Sequence, residues 1–240
     1  IAVTDRNSLA GVVRAYAAAR ETGIRLITGA RLDLTDGISL LTYPTDRAAY
    51  GRLSRLITLG RRRAPKGECE LYRDDVLAYG EGLIFIALPE ATADDDACRQ
   101  ITALHIAFPD AVYLAGHNLC RGDDRQQLAR RAALAQRAGI PLVATNDVRM
   151  HARGRRPLLD VLTCIREKCT IDTAGLRLDA NAERHLKSTE EMTRLFEGYE
   201  DALARTQEIA ERCTFSLDEL RYEYPEEVSE GQNPQNILER

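Results

Sequence analysis

Leu83-Ile84-Phe85-Ile86-Ala87-Leu88 is an unbroken apolar run, followed by a helical pattern over residues 94–108 and then by a second apolar run over 111–115. Six apolar residues with no polar alternation have no face to show to water, so the run reads as a strand covered on both sides. Working outward, residues 125–138 read as a helix and 141–144 as a strand. Upstream, residues 1–4 read as a strand and 8–21 as a helix, with Asn7 or Ser8 as N-cap and Gly23 just past the end. Residues 24–28 form the next strand, 32–34 extend it, and 38–43 follow across Asp36-Gly37, a hairpin turn pair. A helix is expected at 46–59, a polar loop at 60–67 and a helix at 71–79. Strands alternating with helices define an α/β sheet or barrel with helices on the outside. Beyond residue 185 the alternation stops. Helices are expected at 157–167, 188–196 and 201–213, and the acidic stretch 217–240 closes the sequence. The expected division is an α/β domain over 1–185 and a helical connection over 186–240.

Composition narrows the class. The chain has 240 residues, 44% of them hydrophobic and 29% charged, which suits one large globular domain or one domain plus an appendage. No apolar run approaches the ~20 residues of a membrane span, and the opening Ile1-Ala2-Val3-Thr4-Asp5 carries no basic leader. A net charge of −4 gives no global field for nucleic acid. Six scattered cysteines without a Cys-x-x-Cys pair argue against a zinc ribbon or disulfide framework and fit a reducing cytoplasm. Of the 33 basic residues only Lys66, Lys168 and Lys187 are lysines, a skew that codon bias explains unless position gives it meaning.

In α/β folds the reactive groups collect where strands end. Thr4-Asp5-Arg6-Asn7 and Thr145-Asn146-Asp147-Val148-Arg149 are two such corners, Gly29-Ala30-Arg31-Leu32-Asp33 is a third, and Gly116-His117-Asn118 a fourth. They nominate Asp5, Arg6, Arg31, His117, Asp147 and Arg149 as one polar pocket. The competing reading is that the aspartates cap helices and the arginines are solvated. His105 reads as packed or half-exposed, His185 as surface, and His151 and Arg61-Arg62-Arg63 as solvated basic loops that could touch phosphate. No Walker loop, dinucleotide-binding glycine fingerprint, His-Glu-x-x-His or Gly-x-Ser-x-Gly motif is present.

The run Ala2-Val3-Thr4-Asp5-Arg6-Asn7-Ser8-Leu9-Ala10-Gly11 resembles the second motif of the PHP (polymerase and histidinol phosphatase) domains that open bacterial C-family, DnaE-type DNA polymerases. Gly29–Asp33, Tyr113–Asn118 and Leu142–Val148 match further motifs. Asp160–Glu167, Leu186-Lys187-Ser188, Glu191-Met192 and Phe215–Pro225 are most similar to the error-prone branch. The resemblance implies a distorted seven-stranded β/α barrel whose first strand, bearing His-x-His, precedes this chain. It also implies metal ligands in Thr-Asp-His, Gly-x-Glu and Asp-x-His motifs. Here Arg6, Arg31 and Arg149 stand at the His, Glu and His positions, leaving Asp5, Asp147 and His117 as residual ligands. A guanidinium is always charged and has no lone pair to donate, so the expectation is a degenerate site without metal, with the arginines pairing with Asp5, Asp147 and Asp33. No catalytic residue or cofactor is expected in this stretch. The implied parent is an error-prone DNA polymerase in replication and repair, with Mg²⁺ in its polymerase core. The implied partners are that core, primer-template DNA and accessory proteins, with no membrane. The alternatives are an active metal-dependent phosphoesterase or 3′-5′ exonuclease, and an interaction module outside replication.

Overall fold

A computed structural model describes residues 1–89 and 95–221. Six strands form one sheet in the order β1 (Ala2–Arg6), β2 (Ile27–Leu32), β3 (Ser39–Pro44), β4 (Leu83–Leu88), β5 (Val112–His117) and β6 (Leu142–Thr145). The helices are α1 (Val12–Thr22), α2 (Arg47–Arg63), α3 (Arg73–Tyr79), α4 (Asp95–Ala107), α5 (Asp124–Ala138), α6 (Arg156–Glu167), α7 (Ile171–Ala174), α8 (Thr189–Leu195) and α9 (Glu200–Arg212). The mixed α/β class expected from the alternation is observed. The sheet is not parallel throughout, however: β3 runs antiparallel to both β2 and β4. The short turn at Asp36-Gly37 allows only a hairpin, whereas a parallel return needs a crossover of a dozen residues or more.

The two sheet faces bury different sets. Phe85, Ala87, Val112, Leu114 and Leu142 pack outward under Leu53 and Leu56 of α2, Ile101 of α4 and Leu128 and Leu134 of α5. The alternate residues Ile84, Ile86, Tyr113, Ala115 and Val143 pack inward with Ile209 of α9 and with Cys213, as the period of two along a strand requires. The sheet is curved enough that its two edge strands, β1 and β6, line the same cavity.

Helix α9 belongs to both sides of this core. Its Ala202 joins the outer cluster and its Ile209 the inner one. Arg205 Nη1 donates to the Leu142 carbonyl on the free edge of β6 at 3.3 Å, and Arg25 Nη2 reaches the Cys213 carbonyl at 3.1 Å. Helix α9 thus packs directly on the sheet, while α8 contacts α9. The acidic residues from Glu223 onward and Tyr222–Pro225 lie outside the described residues.

Two local expectations are corrected. Helix α1 begins at Val12 rather than at residue 8, because polar side chains capture the preceding backbone: Ser8 Oγ accepts from Ala10 N and Asp5 Oδ2 accepts from Gly11 N at 2.7 Å. A Cβ at Gly11 would sit 2.6 Å from that carboxylate oxygen, so this approach requires glycine. Arg61–Arg63 are the last turn of α2, not a loop. The helix runs through Gly60, which is buried against Leu71, and three cations at a helix C-terminus meet the negative end of its dipole favourably. Arg63 forms a fork to Asp75 at 2.7 and 3.0 Å.

Candidate functional site

The cavity between β1 and β6 has a volume of about 800 Å³ and opens at the ends of the strands. Asp5, Arg31, His117, Asp147 and Arg149 all line it; Arg6 does not, and is linked to the lining only through Asp33, which it shares with Arg31. The corners that bring them there are alike in backbone: Asn7, one residue past β1, and Asp147, two past β6, both hold left-handed conformations with φ of 46° and 43°. Short polar side chains tolerate that region because they bond locally. Asn7 does so, its Oδ1 accepting from Asp33 N at 3.0 Å and its own amide donating to the Arg31 carbonyl at 2.7 Å.

The carboxylate partners differ in part from expectation. Asp33 does pair with arginines: Arg31 Nε lies 2.6 Å away and Arg6 Nε 3.6 Å, while Ser39 Oγ donates at 2.7 Å. Burial opposes ionisation of Asp33, yet the bonds from Ser39 and Arg31 and the charges of Arg31 and Arg6 outweigh it and hold its pKa below the usual range. Asp5 pairs with no arginine among the described residues and instead accepts the Gly11 amide. Asp147 pairs with Arg184, not Arg149. Arg184 also bonds Asp179 at 3.0 Å, and Arg149 faces the same Asp179 at 3.6 Å. Arg184 and Asp179 were missed in the sequence. Both side chains are almost fully buried, at 8% and 11% exposure, and lie in an irregular segment that has no motif.

Positive charge dominates the electrostatics. Arg131, reaching in from α5, donates to the carbonyls of Ala115 and Pro89 and has no carboxylate partner among the described residues. Burial lowers its pKa. Burial, with the charges of Arg121, Arg31 and Arg6, brings Arg184 down to about 10. His117 is pushed down to about 4 by burial, then by Arg131, Arg121 and Arg184. The folded chain therefore keeps this imidazole neutral down to about pH 4, whereas the unfolded chain protonates it near 6.5. Stability falls as pH drops through that window and levels off below it. The expected loss between pH 7 and 4 is up to about 3 kcal/mol from this residue. Thermal melts across that range should show a shallower acid slope for His117→Gln than for the unsubstituted chain, and equal slopes would refute the assignment.

The remaining histidines lie apart from this set, except His151, which lines the cavity mouth. His105 is on α4, with Nδ1 buried and unbonded. His185 is a correction: it is 7% exposed, not a surface residue. Its Nε2 accepts from Arg153 at 3.0 Å and its Nδ1 lies 3.2 Å from Lys187 Nζ. Glu183, His185 and Glu191 place one ligand atom each within 4.8 Å of one another, the spacing of a metal site. Lys187 fills that space, with Nζ 2.9 Å from Glu183 and 3.5 Å from Glu191 and no part of its side chain exposed. An ammonium thus satisfies the one such triad found among the described residues. Among those residues no helix is long and apolar enough to cross a membrane.

A curved α/β sheet with a guanidinium-rich cavity at its strand ends is the class that the geometry defines. The homologues of this chain are error-prone DNA polymerases. Over its full length the chain is 51% identical to error-prone DNA polymerase 1 of Agrobacterium fabrum (strain C58 / ATCC 33970), of which it covers 22%. It is 50% identical over 228 residues, 95% of this chain and 21% of the relative, to the error-prone DNA polymerase of Caulobacter vibrioides (strain ATCC 19089 / CIP 103742 / CB 15). The chain thus spans about a fifth of the length of the curated relatives it matches. No protein-family model matches it. Among solved structures, a putative metal-dependent phosphoesterase from Bifidobacterium adolescentis aligns with a TM-score of 0.44 at 16% identity, covering 61% of this chain and 76% of that one. An amidohydrolase from Chromobacterium violaceum aligns with a TM-score of 0.40 at 15% identity, covering 60% and 74%.

Proposed function

We propose that this chain is a non-catalytic scaffold domain of an error-prone DNA polymerase, of the PHP type, in which guanidinium–carboxylate pairs hold the strand ends together without metal. The observation that carries the reading is the donor set of the cavity. Arg6, Arg31 and Arg149 stand at ligand positions of the resembling family and have no lone pair to give a cation. Of the residual candidates, Asp147 is engaged by Arg184 and Asp5 by the Gly11 amide. His117 alone does not make a site, and the charges of Arg131, Arg121 and Arg184 that act on it repel a divalent ion. The residues present do not fit the family's metals.

On this reading, polymerisation belongs to the rest of a longer chain, whose carboxylates and Mg²⁺ act on primer-template DNA in the cytoplasm. The domain described here packs against that core and offers surface to accessory proteins. The test is made on the longer polymerase chain. It should extend a primer with Mg²⁺. Purified without chelator, it should carry well under one equivalent of zinc or manganese in this domain. A variant lacking polymerase activity should release nothing from a phosphomonoester or from 3′-ended single-stranded DNA with added Mn²⁺. Stoichiometric metal with phosphate or nucleotide release abolished by Asp147→Asn would establish the phosphoesterase or exonuclease instead.

A further inference from the structure

The six cysteines all carry free thiols, and two of them, Cys164 and Cys169, are neighbours at the C-terminal end of α6. There Lys168 takes the left-handed conformation at φ 52°, its amide donates to the Ile165 carbonyl at 3.3 Å, and the Cys169 amide donates to the Cys164 carbonyl at 3.0 Å. These two bonds define a Schellman turn, in which the side chains of the two outer positions meet, ordinarily as an apolar pair. Here both outer positions are cysteine. The Cys164 thiol is buried and donates a hydrogen bond to the thiol of Cys169, which is partly open to solvent. Burial, and then the Cys169 thiol, push the Cys164 thiol up from its ordinary pKa, so it keeps its proton at neutral pH. One sulfur can therefore be reached from outside while the other is shielded and touches it. That is the division of labour between a peroxide-reactive cysteine and a resolving one.

We propose that Cys164 and Cys169 are a modification site for peroxide, which joins them in a reversible disulfide across the C-terminal turn of α6. The site stands independently of the polymerase reading. The Cys169 thiolate attacks one oxygen of hydrogen peroxide. The O–O bond breaks, hydroxide leaves and takes up the proton shed by Cys169 to become water, and Cys169 becomes a sulfenic acid. Cys164 Sγ then attacks Cys169 Sγ, its proton passes to the departing hydroxyl, the S–O bond breaks and a second water leaves. In sum, two thiols and one peroxide give one disulfide and two waters, with two electrons passing from sulfur to oxygen. Thiol reductants return the pair to the dithiol. The consequence for the fold is local: the bond holds the last turn of α6 closed where the chain passes into α7, and a helix end that would fray is pinned.

The experiment treats the longer polymerase chain with hydrogen peroxide, blocks the remaining thiols with N-ethylmaleimide and digests with trypsin in the absence of reductant. Cleavage after Arg166 and Lys168 puts the two cysteines on separate peptides, so a disulfide shows in the mass spectrum as a linked pair that dithiothreitol separates. Cys120, exposed in the same chain, gauges the peroxide dose. By the dose that oxidises about half of Cys120, the linked pair is expected to hold the larger part of both cysteines. Cys164→Ser should stop the reaction at a Cys169 sulfenic acid that dimedone captures. Cys169→Ser should slow oxidation of Cys164 roughly tenfold, since a buried, protonated thiol is a poor nucleophile. In the oxidised parent, amide hydrogen exchange at Lys168 and Cys169 should slow by roughly fivefold. Absence of the linked pair at that dose, or linkage of either cysteine to a third, would overturn the proposal. So would oxidation of Cys164 at an unchanged rate in Cys169→Ser.

Discussion

Arg184→Ala should lower the melting temperature by about 10 °C. Arg184 is 8% exposed and bridges Asp147, on the corner after β6, to Asp179, which is 11% exposed. Removing the guanidinium leaves Asp179 buried with only the more distant Arg149, 3.6 Å away. Breaking a buried pair from one side typically costs ~3–5 kcal/mol, because the partner charge is left uncompensated. For a chain of this size each kcal/mol moves the midpoint by ~2–4 °C. The cause can be separated from simple loss of packing. Adding Asp179→Asn to Arg184→Ala should restore part of the loss, since the stranded charge is then gone. A single variant that melts within about 1 °C of the parent would refute the bridge.

The second large effect is expected at Lys187. Lys187→Ala should cost about 3 kcal/mol at pH 7, the low end of the ~3–5 kcal/mol for breaking a buried pair, because Glu183 and Glu191 lose the ammonium between them while Glu183 keeps only the exposed Arg153. Two carboxylates facing one another raise each other's pKa, so the folded variant takes up protons more readily than the unfolded chain. Stability of the variant relative to the parent should therefore recover as pH falls toward 5, opposite in sign to the His117 contribution. The triad freed of its lysine has the nitrogen and oxygen donors that zinc prefers. Zn²⁺ should raise the melting temperature of Lys187→Ala and leave that of the parent unchanged. Failure of both acid and zinc to rescue the variant would refute the view that Lys187 acts as a counter-ion.

What the sequence made legible and what it hid divide along physical lines. LIFIAL gave β4 without error, because an all-apolar run has one solution in a covered sheet. Asp36-Gly37 marked a hairpin, and its antiparallel consequence for β3 follows from chain geometry alone. The strand-end rule gathered Asp5, Arg31, His117, Asp147 and Arg149 into one cavity, since all parallel strands deliver their ends to the same rim. Arg184, Asp179, His185 and Lys187 stayed hidden for a shared reason. Charged residues buried by pairing leave no apolar periodicity, and AERHLKS reads as surface until its partners, brought in from Arg153 and the 145–150 corner, are known. The alternating charges around Asp179, Glu183, Arg184 and Lys187 were the one available signal. Helix α6 was misleading likewise: it buries Thr163 and Cys164 and exposes Leu158, Val161, Leu162 and Ile165, and an amphipathic period does not say which side faces in.

The position of α9 in the chain order sets a timetable for biosynthesis. Its Ile209, with Cys213, completes the inner face laid down by β3 to β6, and its Arg205 blocks the free edge of β6. About 50 residues separate Thr145 from Glu200, so a ribosome adding ~5–20 residues per second leaves the sheet without that cover for roughly 3–10 s. During this interval the nascent chain shows a bare apolar face and an open strand edge. Nascent chains stalled while residues 146–199 are being added are therefore expected to be more prone to association than chains stalled after α9 has emerged.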